Sequence, residues 1–583
     1  MERRTLLAVV LSFVVVYAYQ AFFVPKAPVE PVPNVTTESP QAPGTPAPDS
    51  LASTAPSLPL AVQAAPQPDE PLVATVVGDT EEREVVVETD DVRAVFTNRG
   101  GRLKNWILKN YVDSEGRLVD LVPDAVPQDQ PLPFSLGLEE GGLGQRLNNA
   151  LFLSTTREDS NRRPGVVFDF QDESGLLARK EFRFGPNAFE VIFTTSVRQA
   201  GQELNPSIEW GPGLGDLRST GGGSFPRRVS IPTPEALFHD GEDVTRLSLS
   251  NAAESPASDG TFSFVGVNDH YFIAAAVNTG PLLVEYRPLT LPASDDPSGE
   301  RQLLIHTIRP AQPSMPLRYY IGPKSFEDLK AIDGEFVRAI DFGFLAFIAV
   351  PFLSALKWIY GYVGNYGWSI IFLTILMNIV MAPLRHKSVV SMRKMQEIQP
   401  QLKAIQDRYA GLKATDPARQ KMNSEVMGLY REKGANPASG CIPMLLQFPF
   451  LFAFYSLLSQ AVELRGAPFG FWIQDLSQMD PYYVTPLIMG ATMFWQQRLT
   501  PATGDPTQQR MMMFMPVVFV AMFLTFPSGL CIYYFTQNLW AIGQQIVTNR
   551  IIGPPIVHPQ RPAAERRVKS AGAGRTPRAE QKP

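Results

Sequence analysis

Cysteine is almost missing from this 583-residue chain. Cys441 and Cys531 are the only two, each inside an apolar run, so no disulfide framework and no cysteine-based zinc spacing can be built. Histidine is nearly as scarce: His239, His270, His306, His386 and His558 are scattered and form no H-x-x-x-H pair. No nucleophile elbow, phosphate loop or dinucleotide fingerprint occurs. The run Gly221-Gly222-Gly223 sits in no clear strand-to-helix phosphate loop and reads as a glycine-rich β-loop. The expectation is a protein with no catalytic residue, no metal and no cofactor. Acidic residues run short in the back of the chain. Residues 341–583 hold 23 Lys/Arg against 12 Asp/Glu, a net of +11, whereas residues 1–340 carry −16, so the overall −5 hides an acidic front and a basic back. Such asymmetry points to two compartments rather than to nucleic-acid binding.

Long uncharged runs, by contrast, are plentiful. Residues 6–24 carry no charge. At 1.5 Å per residue they span roughly 28 Å, enough for one membrane crossing. Arg3 and Arg4 precede them, which places the N-terminus in the cytoplasm. An uncleaved anchor (1–24) is expected; a cleaved signal peptide is the competing reading, weakened by the length of the run and the lack of an adjoining A-x-A site. Residues 25–71 contain 13 prolines, and the stretch 25–80 reads as an extended tether that cannot bury enough apolar surface to fold. Residues 81–325 change texture. Short alternating runs (85–89, 93–97, 165–170, 178–184, 189–197, 261–267, 271–277, 282–287, 302–308, 318–321), punctuated by Gly, Pro, Asn and Asp, predict an all-β sandwich. Behind an anchor whose N-terminus is inside, this domain lies outside the cytoplasm.

Residues 342–363, within a linking region 326–364, predict an amphipathic helix at the membrane surface, with a crossing as the alternative. Five crossings follow by hydropathy, at about 367–384, 441–462, 483–495, 511–526 and 530–547, within a bundle covering 365–548. With the anchor they make six, which leaves both termini cytoplasmic. The segment 386–435 reads as a cytoplasmic helical hairpin: Ile398, Leu402, Ile405 and Tyr409 recur at helical spacing, Gly411 and Asp416-Pro417 mark the turn, and Met422, Val426 and Leu429 follow. Residues 385–433 hold 11 Lys/Arg and 5 acids, and the tail 549–583 is basic, as the positive-inside rule requires. This basic face suits anionic lipid headgroups, ribosomal RNA or an acidic partner.

The informative residues are polar ones inside the crossings. Thr374, Asn378 and Arg385 fall on one helix face; Tyr533, Tyr534 and Gln537 form a second stripe with Asn538 beside it, and Gln447 projects from a third crossing. Hydrocarbon penalises such groups unless they face one another or water, so they should line a shared interior surface. The bland alternative is interhelical hydrogen bonding that only holds the bundle together.

At this point several local motifs, in order, resemble the YidC membrane insertase family: 357–367 (KWIYGYVGNYG), 392–400 (MRKMQEIQP), 436–447 (NPASGCIPMLLQ), 462–468 (VELRGAP), 472–483 (WIQDLSQMDPYY) and 526–534 (FPSGLCIYY). The anchor, tether and β domain resemble its Gram-negative form, whose outer domain is a β-supersandwich of the sugar-binding type. The resemblance implies a multi-pass inner-membrane insertase and chaperone with a periplasmic domain. It implies a hydrophilic groove that takes nascent membrane proteins, work beside the SecYEG translocon, and contacts of the cytoplasmic segments with the ribosome, a targeting receptor and lipids. It also implies that client segments slide along the helices at 441–462 and 511–526. One departure stands out. The family places an arginine in the groove where this chain has Asn378, and Arg385, two turns on, is the candidate replacement. A membrane transporter and an anchored carbohydrate-active protein, with Glu181 or Asp240 as candidate acids, are the rival readings.

Overall fold

Leu176–Phe184 alternates strictly. Leu176, Ala178, Phe182 and Phe184 point inward and Leu177, Arg179 and Arg183 outward, which is what a strand with one buried face requires. The computed structural model describes residues 74–552, except 114–115, 124–129, 139–141, 215–232, 255–256, 293–299, 410–417, 435–441 and 500–505. The expected anchor, the tether up to residue 73, Gly221-Gly222-Gly223, the hairpin turn and the tail beyond 552 lie outside the described residues.

Among the described residues, the front of the chain builds three antiparallel sheets of eleven, five and four strands. The largest runs through Pro164–Asp172, Leu176–Phe184, Glu190–Gln199, Leu317–Pro323, Phe272–Val277, Phe264–Asn268 and Glu235–His239 in spatial order. The core is aromatic. Phe134 lies 4.8 Å from Phe193, 5.1 Å from Phe182, 5.1 Å from Tyr319 and 5.7 Å from Trp210, ring centre to ring centre. The all-β expectation holds, with one long strand that the alternation did not reveal, Arg102–Val112. There Val95 faces Asn105 but the next residue on, Phe96, faces Leu103, so Lys104 is bulged out. The bulge spaces the inward residues Leu103 and Trp106 by three and hides the period of two.

The back of the chain is helical. The helices are α1 (Ala346–Val363), α2 (Tyr366–Glu397), α3 (Gln399–Arg408), α4 (Ala418–Glu432), α5 (Ile442–Gln460), α6 (Val484–Leu499), α7 (Pro506–Phe523) and α8 (Ser528–Ile552). The helices extend past the expected spans. Helix α2, 32 residues in all, runs through Pro383 beyond the span 367–384 and breaks at Ile398, ahead of α3, which has Pro400 in its first turn. Helix α7 begins at Pro506, ahead of the span 511–526, and ends at Phe523. Helix α8 begins at Ser528, two residues ahead of the span 530–547. Gly343–Val363 and Tyr366–His386 are long and apolar enough to cross a membrane; Phe448–Gln460 and Met513–Phe523 are shorter apolar stretches. Helices α3 and α4 are paired, the Tyr409 hydroxyl just past α3 donating to Glu425 of α4 at 2.8 Å.

Candidate functional site

Helix α2 carries Thr374 and Asn378 four residues apart, hence on one face, and both are buried. The Thr374 hydroxyl turns back to the Ile370 carbonyl at 2.7 Å, which satisfies it inside its own helix. Asn378 reaches across. Its amide donates to Gln537 Oε1 at 2.6 Å and to the Thr374 carbonyl at 2.7 Å. Gln537 is also buried, so one hydrogen bond pairs two amides that hydrocarbon would penalise, between α2 and α8.

Tyr533 sits one turn from Gln537 towards the start of α8, its ring stacked on Phe454 of α5 at 4.4 Å. Its hydroxyl is buried with no hydrogen-bond partner among the described residues. The Arg385 guanidinium comes within electrostatic range of that hydroxyl while Arg385 stays half-buried. Thr374, Asn378, Gln537, Tyr533 and Arg385 are thus brought into one interior region. Tyr534 packs edge-on against Tyr533 at 5.6 Å and reaches α7, its ring 4.9 Å from Phe523 and 6.3 Å from Phe519. Gln447 falls on α5, and its side chain lies outside the described residues. Asn538 clamps the opposite flank, donating to Thr492 Oγ1 at 3.3 Å and to the Met489 carbonyl at 3.4 Å on α6.

Sequence reasoning missed the lid, the segment 461–483 that joins α5 to α6 and docks on the start of α8. The Ser528 amide donates to the Gln478 carbonyl at 2.7 Å and the Gly529 amide to the Leu476 carbonyl at 3.0 Å. A Cβ on Gly529 would stand 3.1 Å from the Leu476 oxygen, so this approach favours glycine. Asp480 organises the segment: one carboxylate oxygen accepts from Trp472 Nε1 at 3.0 Å and from the Tyr482 amide at 2.9 Å, the other from the Thr485 amide at 2.7 Å. The signal was present in the sequence as Asp480-Pro481 just ahead of α6, a helix-start signature. Asn365 ties in α2, its amide donating to the Pro468 and Phe469 carbonyls at 3.0 and 3.1 Å.

Two neighbouring faces are apolar and open. Phe448, Phe452 and Tyr455 on α5, and Met513, Phe514, Met515, Val517, Val518 and Met522 on α7, are exposed large hydrophobics. Elsewhere, Glu181 lies beside Arg183, and Asp240 caps the amides of Glu242 and Asp243. Among the described residues no group of three or more His, Cys, Asp or Glu is placed to hold a metal.

Comparison with known proteins gives a consistent result. Residues 84–355 match the family model described as YidC periplasmic domain, and residues 358–554 that described as 60Kd inner membrane protein. The chain is 34% identical over 569 residues to the membrane protein insertase YidC of Geobacter metallireducens, covering 95% of this chain and 99% of that one. It is 35% identical over 566 residues to the membrane protein insertase YidC of Syntrophus aciditrophicus, covering 94% and 100%. A solved structure, an active YidC insertase with the first transmembrane domain resolved, aligns over 82% of this chain and 95% of that chain at 18% identity, with a TM-score of 0.34.

Proposed function

Because the chain belongs to the YidC family of membrane protein insertases, we propose that it moves nascent membrane proteins into the bilayer through the polar interior between α2 and α8. Membership makes it a non-enzymatic insertase of the inner membrane with a periplasmic domain. The observation that carries the groove reading is the juxtaposition of three features. A buried polar cluster (Thr374, Asn378, Gln537, Tyr533) lies beneath a hydrogen-bonded lid, and beside it α5 and α7 present open apolar faces.

The physics of that arrangement suits insertion. A client's polar stretch loses hydrogen bonds with water when it enters hydrocarbon, and groups such as Asn378, Gln537 and Tyr533 return some of them. Its hydrophobic segment can meanwhile leave laterally along Phe448, Phe452 and Tyr455 of α5 and Phe514, Val517 and Val518 of α7, exchanging one apolar surface for another. With 16 residues, α6 reaches only about 24 Å, which favours a locally thinned bilayer and a shorter path. Asn378 offers hydrogen bonds but no charge. Arg385, lying near Tyr533, supplies the positive field that draws in acidic client tails. The anchor makes the sixth crossing, both termini are cytoplasmic, residues 342–363 lie along the outer surface, and the SecYEG translocon, the ribosome and a targeting receptor are the partners of the cytoplasmic and membrane faces.

The test is site-specific crosslinking from Asn378, Gln447 and Tyr534 to a stalled nascent membrane protein. Adducts from Asn378 and Gln447 are expected. No client adduct from any position, with a working control, would sink the groove. For the charge, Arg385→Ala should slow insertion of acidic-tailed clients more than of neutral ones in reconstituted vesicles; equal rates for both would remove Arg385 from the mechanism.

A further inference from the structure

The β domain and the bundle share one apolar cluster, and a few directional polar contacts also join them. Residues 269–271 form the tip between the strands Phe264–Asn268 and Phe272–Val277. Asp269 pre-shapes the tip, its Oδ1 accepting from the amides of Tyr271 at 2.8 Å and Phe272 at 2.6 Å. This leaves His270 projecting, with Nε2 2.5 Å from the Ser459 carbonyl oxygen. Ser459 lies in the last turn of α5, where carbonyls have run out of intrahelical N–H partners. A carbonyl can only accept, so Nε2 carries the proton and the imidazole caps the helix end. Burial and the neighbouring Lys324 hold the His270 pKa below the usual imidazole value, which favours the neutral ring.

Two further contacts join the same parts. The Arg465 guanidinium, just beyond α5, lies over the rings of Tyr271 and Phe272 at 5.3 and 4.8 Å. Lys357 of α1 is shared between Glu463, at 3.1 Å in the lid segment, and Glu327 on the helix Phe326–Ile332 of the β domain. The three contacts converge on the outer end of α5 and the first residues of the lid.

We infer that His270, with Arg465 and Lys357 in support, is a positioning lock by which the β domain fixes the outer end of α5 while client segments pass along its exposed face. This rests on the reading of α5 as a client track. A helix that must release apolar segments sideways has few lipid-side contacts to hold it, so its register has to be set from an end. The capped carbonyl of Ser459 supplies that fixed point.

The experiment uses the full chain with Cys441 and Cys531 replaced by serine. Spin labels at Arg157 in the β domain and Gln474 in the lid, both exposed, report the distance between domains in nanodiscs. The same variants are assayed for insertion of a single-span client into vesicles. His270→Ala should broaden the distance distribution and slow insertion about threefold to tenfold, the worth of one buried hydrogen bond. His270→Gln, which returns an N–H donor to the Nε2 position, should restore both. A narrow distribution in His270→Ala removes the lock. A broad one with unchanged insertion removes its positioning role, and failure of His270→Gln to rescue removes the hydrogen bond as cause. If the parent protein inserts no client at all, the insertase reading fails, and the distance measurement still decides whether the lock exists.

Discussion

Asn378 and Gln537 show how much a single pair can decide. Each amide is buried, and each is the other's partner across 159 residues of sequence. Replacing one leaves an unsatisfied amide, whereas replacing both leaves none. Asn378→Leu should therefore cost about 1–3 kcal/mol of stability, and the double variant Asn378→Leu/Gln537→Leu should recover much of it. Thermal unfolding of the four proteins in detergent measures the coupling; strict additivity would mean that the bond contributes nothing.

His306 gives a pH-dependent counterpart. It is fully buried, stacked near Trp210 and Tyr319, with both ring nitrogens lacking hydrogen-bond partners among the described residues. Burial pushes its pKa down to about 3. The unfolded chain binds a proton near pH 6.5 and the folded one does not, so stability is retained above that pH and lost as pH falls towards 3. At pH 5 the loss is about 2 kcal/mol. His306→Phe, which keeps the ring, should flatten the dependence of β-domain melting between pH 7.5 and pH 5; an unchanged slope would assign it to other groups.

Among the elements, the lid is the one whose failure should be visible at a distance. Asp480 holds it with three hydrogen bonds, and Cys531, buried at the start of α8, lies beneath it. In a Cys441→Ser background, Asp480→Ala should raise labelling of Cys531 by a membrane-impermeant maleimide applied from the lid side severalfold. Labelling that stays at the parent level would mean that the lid is closed by packing alone. The strand Arg102–Val112 makes a different point about elements. Its pattern was illegible because the bulge at Lys104 depends on the register with Val92–Thr97, and register is a property of the pair. Lys180 is similar. It occupies an inward position of a strand, and the carbonyls of Gly100, Phe134 and Gly101, 2.6, 2.7 and 3.4 Å away, make that position tolerable for an ammonium.

For the whole molecule, the rival readings of the chain part over one deletion. Removing residues 84–320 would abolish any activity housed in the β domain. An insertase should keep measurable insertion, reduced to about the level of His270→Ala, because the deletion takes the lock with it. Insertion of a single-span client into vesicles reads the outcome, and complete loss with the bundle still folded would move the essential function into the β domain.

Composition and periodicity determined the partition of this protein. They set an acidic β-rich front apart from a basic helical back, approximate spans, a basic helical hairpin, and polar residues that hydrocarbon would not tolerate unpartnered. These follow from forces that act within a few residues: strand alternation, helix period, desolvation and charge beside a membrane. The tertiary structure alone decided that Asn378 meets Gln537, that Tyr534 packs on Phe523 of α7 as well as on Tyr533, that Asp480 closes a lid, and that His270 caps α5. Each of these depends on which chemically suitable partner lies within about 3–6 Å, and that is settled by packing between segments far apart in the chain.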